Sequence, residues 1–107
     1  FPPFLNLFRI TISGPEETQV LRACAVVRRS LDPWIKPRQH GPDGPEVLGP
    51  APAPILKINN RYRYRVLVKC RNDKEIRAIL AQILRAAQQD RANKGLSILI
   101  DVDPMDG

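Results

Sequence analysis

The chain is poor in the residues that most often carry chemistry: it has one histidine, one methionine, one tryptophan and two cysteines among 107 residues. A structural zinc site takes about four thiolate or imidazole ligands. Cys24, Cys70 and His40 are too few and too dispersed to form one. Neither cysteine belongs to a C-x-x-C pair and both fall on apolar stripes, so they read as small buried hydrophobes of a reducing compartment rather than as a disulfide. No apolar run reaches the ~18 residues of a membrane span, and no charged leader precedes an apolar stretch at the start. The chain opens on "FPPF" without a methionine, which suggests a piece of a longer protein. Its length suits one domain with a modest core and is too short for a motor with two nucleotide-binding lobes.

Acids are missing from one stretch altogether. Residues 57–71, "KINNRYRYRVLVKCR", hold Lys57, Arg61, Arg63, Arg65, Lys69 and Arg71 and no carboxylate. These account for the whole excess of 17 basic over 11 acidic side chains, so the net charge of +6 is local. A local patch of this kind implies an anionic partner, such as nucleic acid, an acidic peptide or a membrane surface, more than a general solubility device.

The periodicities predict alternating strands and helices. "FLNLFRITIS" (residues 4–13) alternates as a strand, with Phe8, Ile10 and Ile12 on one side and Leu7, Arg9 and Thr11 on the other. Gly14 breaks it, and Pro15, Glu16 and Glu17 suit a helix start. Val20, Cys24, Val27 and Leu31 form the stripe of a helix expected to end before Asp32-Pro33. Residues 32–46 then read as a loop. "VLGPAPAPILKI" has three alternating prolines, which donate no backbone hydrogen bond, so it is placed as a bent edge strand. Asn59-Asn60 supplies a hairpin turn into "RYRYRVLVK". Asn72 with Glu75 reads as the capping box of a second helix, with a stripe of Ile76, Ile79, Leu80, Ile83 and Ala87 and a stop at Lys94-Gly95. "LSILIDVD" is the fourth strand. The order is β-α-β-β-α-β, an α+β ferredoxin-like pattern with an antiparallel sheet ordered 4-1-3-2 and both helices on one face.

In "RYRYRVLVK", burying three guanidinium groups costs far more than exposing two phenols, so Arg61, Arg63, Arg65 and Lys69 are expected on the open face and Tyr62 and Tyr64 on the covered one. Alternate strand residues lie ~6.6–6.8 Å apart, and such a row can follow the phosphates of a nucleic acid strand. It also fits a solvated face that keeps an open sheet from aggregating. An RNA-recognition module, with exposed aromatics on this strand, would need Tyr62 and Tyr64 to face outward. Asp101 and Asp103 share one side of a strand end, where solvation or contact with another domain is favoured over a metal. His40 has no evident nucleophile or base beside it, and no residue is assigned a catalytic role.

"VLGPAPAPILKINNRYRYRVLVKC", the terminal "ILIDVDPMDG" and the opening "PPFLNLFRITISGPEETQVLRA" together resemble the C-terminal domain of the primosomal protein N′ (PriA) family, the bacterial replication-restart helicases, over essentially the whole chain. The resemblance implies that residues 1–107 form the C-terminal domain of a larger cytoplasmic bacterial helicase that binds branched or single-stranded DNA and unwinds it 3′ to 5′ with ATP. The phosphate loop, Mg-binding acids and paired C-x-x-C zinc ligands of that family are missing from this sequence. ATP, magnesium and zinc are therefore expected elsewhere in the parent, and this chain is expected to be non-catalytic and to hold no cofactor. What the resemblance implies here is a role in holding DNA, with Arg61, Arg63, Arg65 and Lys69 as phosphate contacts, and packing against the helicase lobes. It further implies a contribution near the start of the second helix, with Arg71, Lys74 and Arg77 as candidates, to a surface for the acidic tail of single-stranded-DNA-binding protein.

Overall fold

The structure, a computed structural model, describes residues 5–41 and 44–104. Phe4 of the expected first strand, Pro42 and Asp43 of the loop, and Met105 of the closing motif lie outside the described residues. The elements run β1 (Leu5–Gly14), α1 (Glu17–Ile35), a short 3-10 turn (Lys36–Arg38), β2 (Glu46–Ile58), β3 (Arg61–Arg71), α2 (Lys74–Gln89), a second 3-10 turn (Arg91–Asn93) and β4 (Ser97–Pro104). The strands form one sheet in the order β2-β3-β1-β4, with every neighbouring pair antiparallel. This is the expected 4-1-3-2 order read from the opposite edge.

The sheet has two unlike faces because its strands alternate. On β1, Phe8, Ile10 and Ile12 are buried, and they stand beside Val68, Val66 and Tyr64 of β3. Val20, Cys24, Val27 and Leu31 of α1 and Ile76, Leu80 and Ala87 of α2 close over the same face to make one core. Tyr64 packs at its margin, and its hydroxyl donates a 2.5 Å hydrogen bond to Glu17 Oε2. That bond, burial and the carboxylate charge raise the phenol's pKa. Cys24 and Cys70 are both buried and free, and burial pushes each thiol up to about 12.

Three helix boundaries differ from the sequence expectation. Helix α1 does not stop before Asp32-Pro33 but runs through Pro33 to Ile35. Leu31 and Ile35 extend the apolar stripe by one more turn into the core, and Trp34 packs against it. That burial outweighs the one hydrogen bond the proline forfeits near the helix end. At the other helix, Asp73 rather than Asn72 is the cap: its carboxylate accepts the Ile76 amide at 2.9 Å. Glu75 turns away to accept from Arg38 Nη2 at 2.7 Å and Trp34 Nε1 at 3.4 Å, so no capping box forms. Helix α2 also ends at Gln89, ahead of Lys94-Gly95, because Asp90 starts the second 3-10 turn by accepting the Ala92 amide.

The proline-bearing β2 lies at an edge, where missing donors are harmless, and its register with β3 shifts twice, between Leu48 and Ala51 and between Pro52 and Lys57. Asn59 and Asn60 both take positive φ, 52° and 61°, as the tight hairpin requires. Arg28 reaches from α1 to the carbonyls of Gly49 and Val47 and so pins the bent edge. Gly49 has φ +97°, and a Cβ there would sit 2.7 Å from the Arg65 carbonyl oxygen. The substitution Gly49→Ala is expected to destabilise the chain by ~1–3 kcal/mol, and thermal unfolding followed by circular dichroism would measure it. An unchanged melting temperature would mean that β2 does not approach β3 here.

Candidate nucleic-acid interface

The face not covered by helices is built from odd-numbered residues of β1, β3 and β4, with Glu46, Leu48, Ala51 and Ile58 of β2. Pairing sets out its rows. Leu5 and Arg71 lie side by side at one end, followed by Glu46, Lys69, Leu7 and Asp103, and then by Leu48, Leu67, Arg9 and Asp101. Next come Ala51, Arg65, Thr11 and Leu99, then Arg63, Ser13 and Ser97, and last Ile58 and Arg61. Val66, Val68 and Cys70 are buried on the other side, which Tyr62 and Tyr64 share half-buried, so all four predicted cations of β3 belong to the open face. None of the residues in these rows is aromatic.

The cations are held differently from one another. Arg61 Nη2 donates to the carbonyls of Ser13 and Gly95, both at 3.0 Å, crossing the sheet toward the start of β4. Arg63 Nη1 donates to the Ile55 carbonyl at 2.9 Å, reaching the opposite way onto β2. The guanidinium groups therefore do not line up as a simple row along β3; they fan out across the strands. These bonds fix the side chains and satisfy a few donors, and among the described residues no carboxylate pairs with either guanidinium. Arg65 lies between them, half-buried, with its Nε enclosed and unbonded. Lys69 stands one row from the end, directly opposite Glu46.

Arg9 and Arg28 have roles that the sequence reading did not assign. Arg9 lies in the middle of the open face, where Nε bonds Asp101 at 2.7 Å and Nη1 bonds Asp103 at 2.5 Å. Asp103 and then Asp101, by these hydrogen bonds, hold the guanidinium above its ordinary pKa. The signal was present in the alternation of β1 and of "DVDP", but only the pairing of β1 with β4 brings the three together. The carboxylates that invited a metal reading are thus ligands of an arginine.

Arg71 and Arg77 line different clefts, and Lys74 lies one turn before Arg77 on α2. Arg71 borders a cleft of about 230 Å³ together with Trp34, Arg38, His40, Asp73 and Glu75, a wall of mixed charge. Arg77, whose Nη1 donates to Asn72 Oδ1 at 2.9 Å, lines a different, apolar groove of about 240 Å³ made by Phe8, Leu80, Leu84, Ile100 and Val102. Lys74 is exposed and borders neither.

Residues 1–105 match the family described as primosomal protein N C-terminal domain. The chain belongs to this family. Among the proteins similar to this PriA C-terminal domain, the replication restart protein PriA of Bacillus subtilis is 30% identical over 104 residues, covering 97% of this chain. That of Synechocystis is 38% identical over 72 residues, 64% of the chain, and the probable replication restart protein PriA of Deinococcus radiodurans is 28% identical over 97%. The domain spans only 12%, 8% and 10% of those relatives' lengths. Among solved structures, the de novo designed protein Foldit4 shares the fold with a TM-score of 0.63 at 16% identity, over 92% of this chain and 96% of its own.

Proposed function

We propose that this domain is a non-catalytic DNA-binding and docking unit of a replication-restart helicase, and that it holds DNA through the phosphate backbone with the cations of β3. The observation that carries this reading is that Arg61, Arg63, Arg65 and Lys69 of β3 share one open sheet face, with Arg61 and Arg63 fixed by backbone carbonyls and paired with no carboxylate among the described residues. The absence of aromatics from the open-face rows removes the stacking platform on which single-stranded bases are usually held. Phosphate contact is left as the main attraction, so binding is expected to be indifferent to base sequence. The ATP, magnesium and zinc chemistry of the parent helicase is assigned to the remainder of that polypeptide, in the bacterial cytoplasm.

The test is a salt titration of this chain with fluorescein-labelled DNA. Three or four phosphate contacts predict that log affinity for single-stranded DNA falls against log salt with a slope of about −2 to −3. Salt-independent or undetectable association would remove the reading. A second reading has its own observation, the apolar groove rimmed by Arg77. It would accept an apolar side chain of the acidic tail of single-stranded-DNA-binding protein while Arg77 meets a carboxylate. The open face also exposes Leu48 and Leu99, at 44% and 64%, which is the chemistry expected if part of it packs on the helicase lobes.

A further inference from the structure

We infer that the DNA backbone crosses the open sheet from β2 toward β4 at its acid-free end, rather than running along β3. This rests on the DNA-binding reading above and narrows it to a path. Among the described residues the acids of the face are confined to one side, where they offset the cations: Glu46 and Asp103 flank Lys69 and Leu7, next to Arg71, and Asp101 with Asp103 occupies Arg9. A polyanion following β3 to Lys69 would run into three carboxylates, with the central arginine already taken. Across the other end, Arg63 reaches to β2, Arg65 stands at the centre, and Arg61 reaches past β1 to the loop before β4. Between and beyond them Thr11, Ser13 and Ser97 face the same side and carry hydroxyls able to donate to phosphate oxygens. The band formed by these six residues holds three cations and no acid. The Asp101–Arg9–Asp103 clamp marks its boundary, and it keeps a fourth arginine out of the contact.

The experiment compares four variants of this chain with the unmodified chain on mixed-sequence duplex and single-stranded DNA, reading anisotropy across a salt series. Arg65→Ala is expected to weaken binding about fivefold, while Lys69→Ala changes it by less than about twofold. Ser97→Asp, which places an acid in the path, is expected to weaken binding at least as much as Arg65→Ala. The double substitution Asp101→Asn with Asp103→Asn releases Arg9, so affinity should rise and the salt slope steepen by about 0.7–0.9. Equal losses from Lys69→Ala and Arg65→Ala, with Ser97→Asp and the double variant silent, would overturn the crossing path while leaving DNA binding intact. No salt-dependent binding by the unmodified chain would overturn both. Displacement of DNA by a poly-glutamate chain of equal charge at lower concentration would reassign the band to an acidic protein surface.

Discussion

Replacing Arg61, Arg63 and Arg65 together by alanine is expected to weaken DNA binding by this chain about 100-fold at moderate salt. The magnitude follows from three ionic contacts at the surface of the sheet of ~1 kcal/mol each, the upper end for such pairs, with each tenfold in affinity equal to about 1.4 kcal/mol. The loss should shrink as salt rises, because the released counterions are what the contacts gain. The same change removes the bonds from Arg61 to the Ser13 and Gly95 carbonyls and from Arg63 to that of Ile55. These contribute ~0.5–1.5 kcal/mol apiece, and the freed carbonyls can turn to water, so the fold survives with a lower melting temperature. A triple lysine variant separates the two effects: it keeps the charge and loses the planar fork, and should bind DNA far better than the alanine variant. If the alanine variant bound as tightly as the unmodified chain while melting earlier, the arginines would be structural, and the docking of this face on the helicase lobes would be the better account.

Ile12→Ala is expected to be severely destabilising. Ile12 is wholly buried, with Tyr64 on one side and Ile98 on the other. Truncating such a side chain costs about 2–5 kcal/mol, transfer and cavity terms together, against a total stability of ~5–15 kcal/mol for a small domain. A fall in melting temperature of about 10–20 °C follows for a chain of this size. Leu99→Ala, on the open face, should stay within ~0.5 kcal/mol of the parent. The contrast tests the orientation of the sheet, since a slip of one residue exchanges its two faces. Similar losses from both substitutions would mean that the open face is buried too.

Much of this architecture was legible because local chemistry and global fold agree. The alternation of Phe8, Ile10 and Ile12, the prolines of residues 50–54, the Asn59-Asn60 turn and the stripe of α2 each reported a true feature. The errors came where one local signal was weighed against burial that could not yet be seen. Pro33 is a helix breaker by propensity, yet Leu31 and Ile35 are buried and carry α1 past it. Asn72 and Asp73 are both competent caps, and the choice between them was made when Asn72 was drawn to Arg77 and Glu75 to Arg38.

By itself the sequence determined which side chains share a strand face and where the positive charge lies, because both are properties of spacing along one strand. The arginines of β3 had to leave the apolar side to Val66, Val68 and Cys70, whatever the neighbours proved to be. Only the tertiary structure decided what each cation meets. Arg9 was joined to Asp101 and Asp103 by the β1–β4 pairing, Lys69 was set opposite Glu46 by β2, and Arg61 and Arg63 were sent in opposite directions to carbonyls distant in sequence. Electrostatic partnership falls off over a few ångströms, and those few ångströms are fixed by which strands lie side by side.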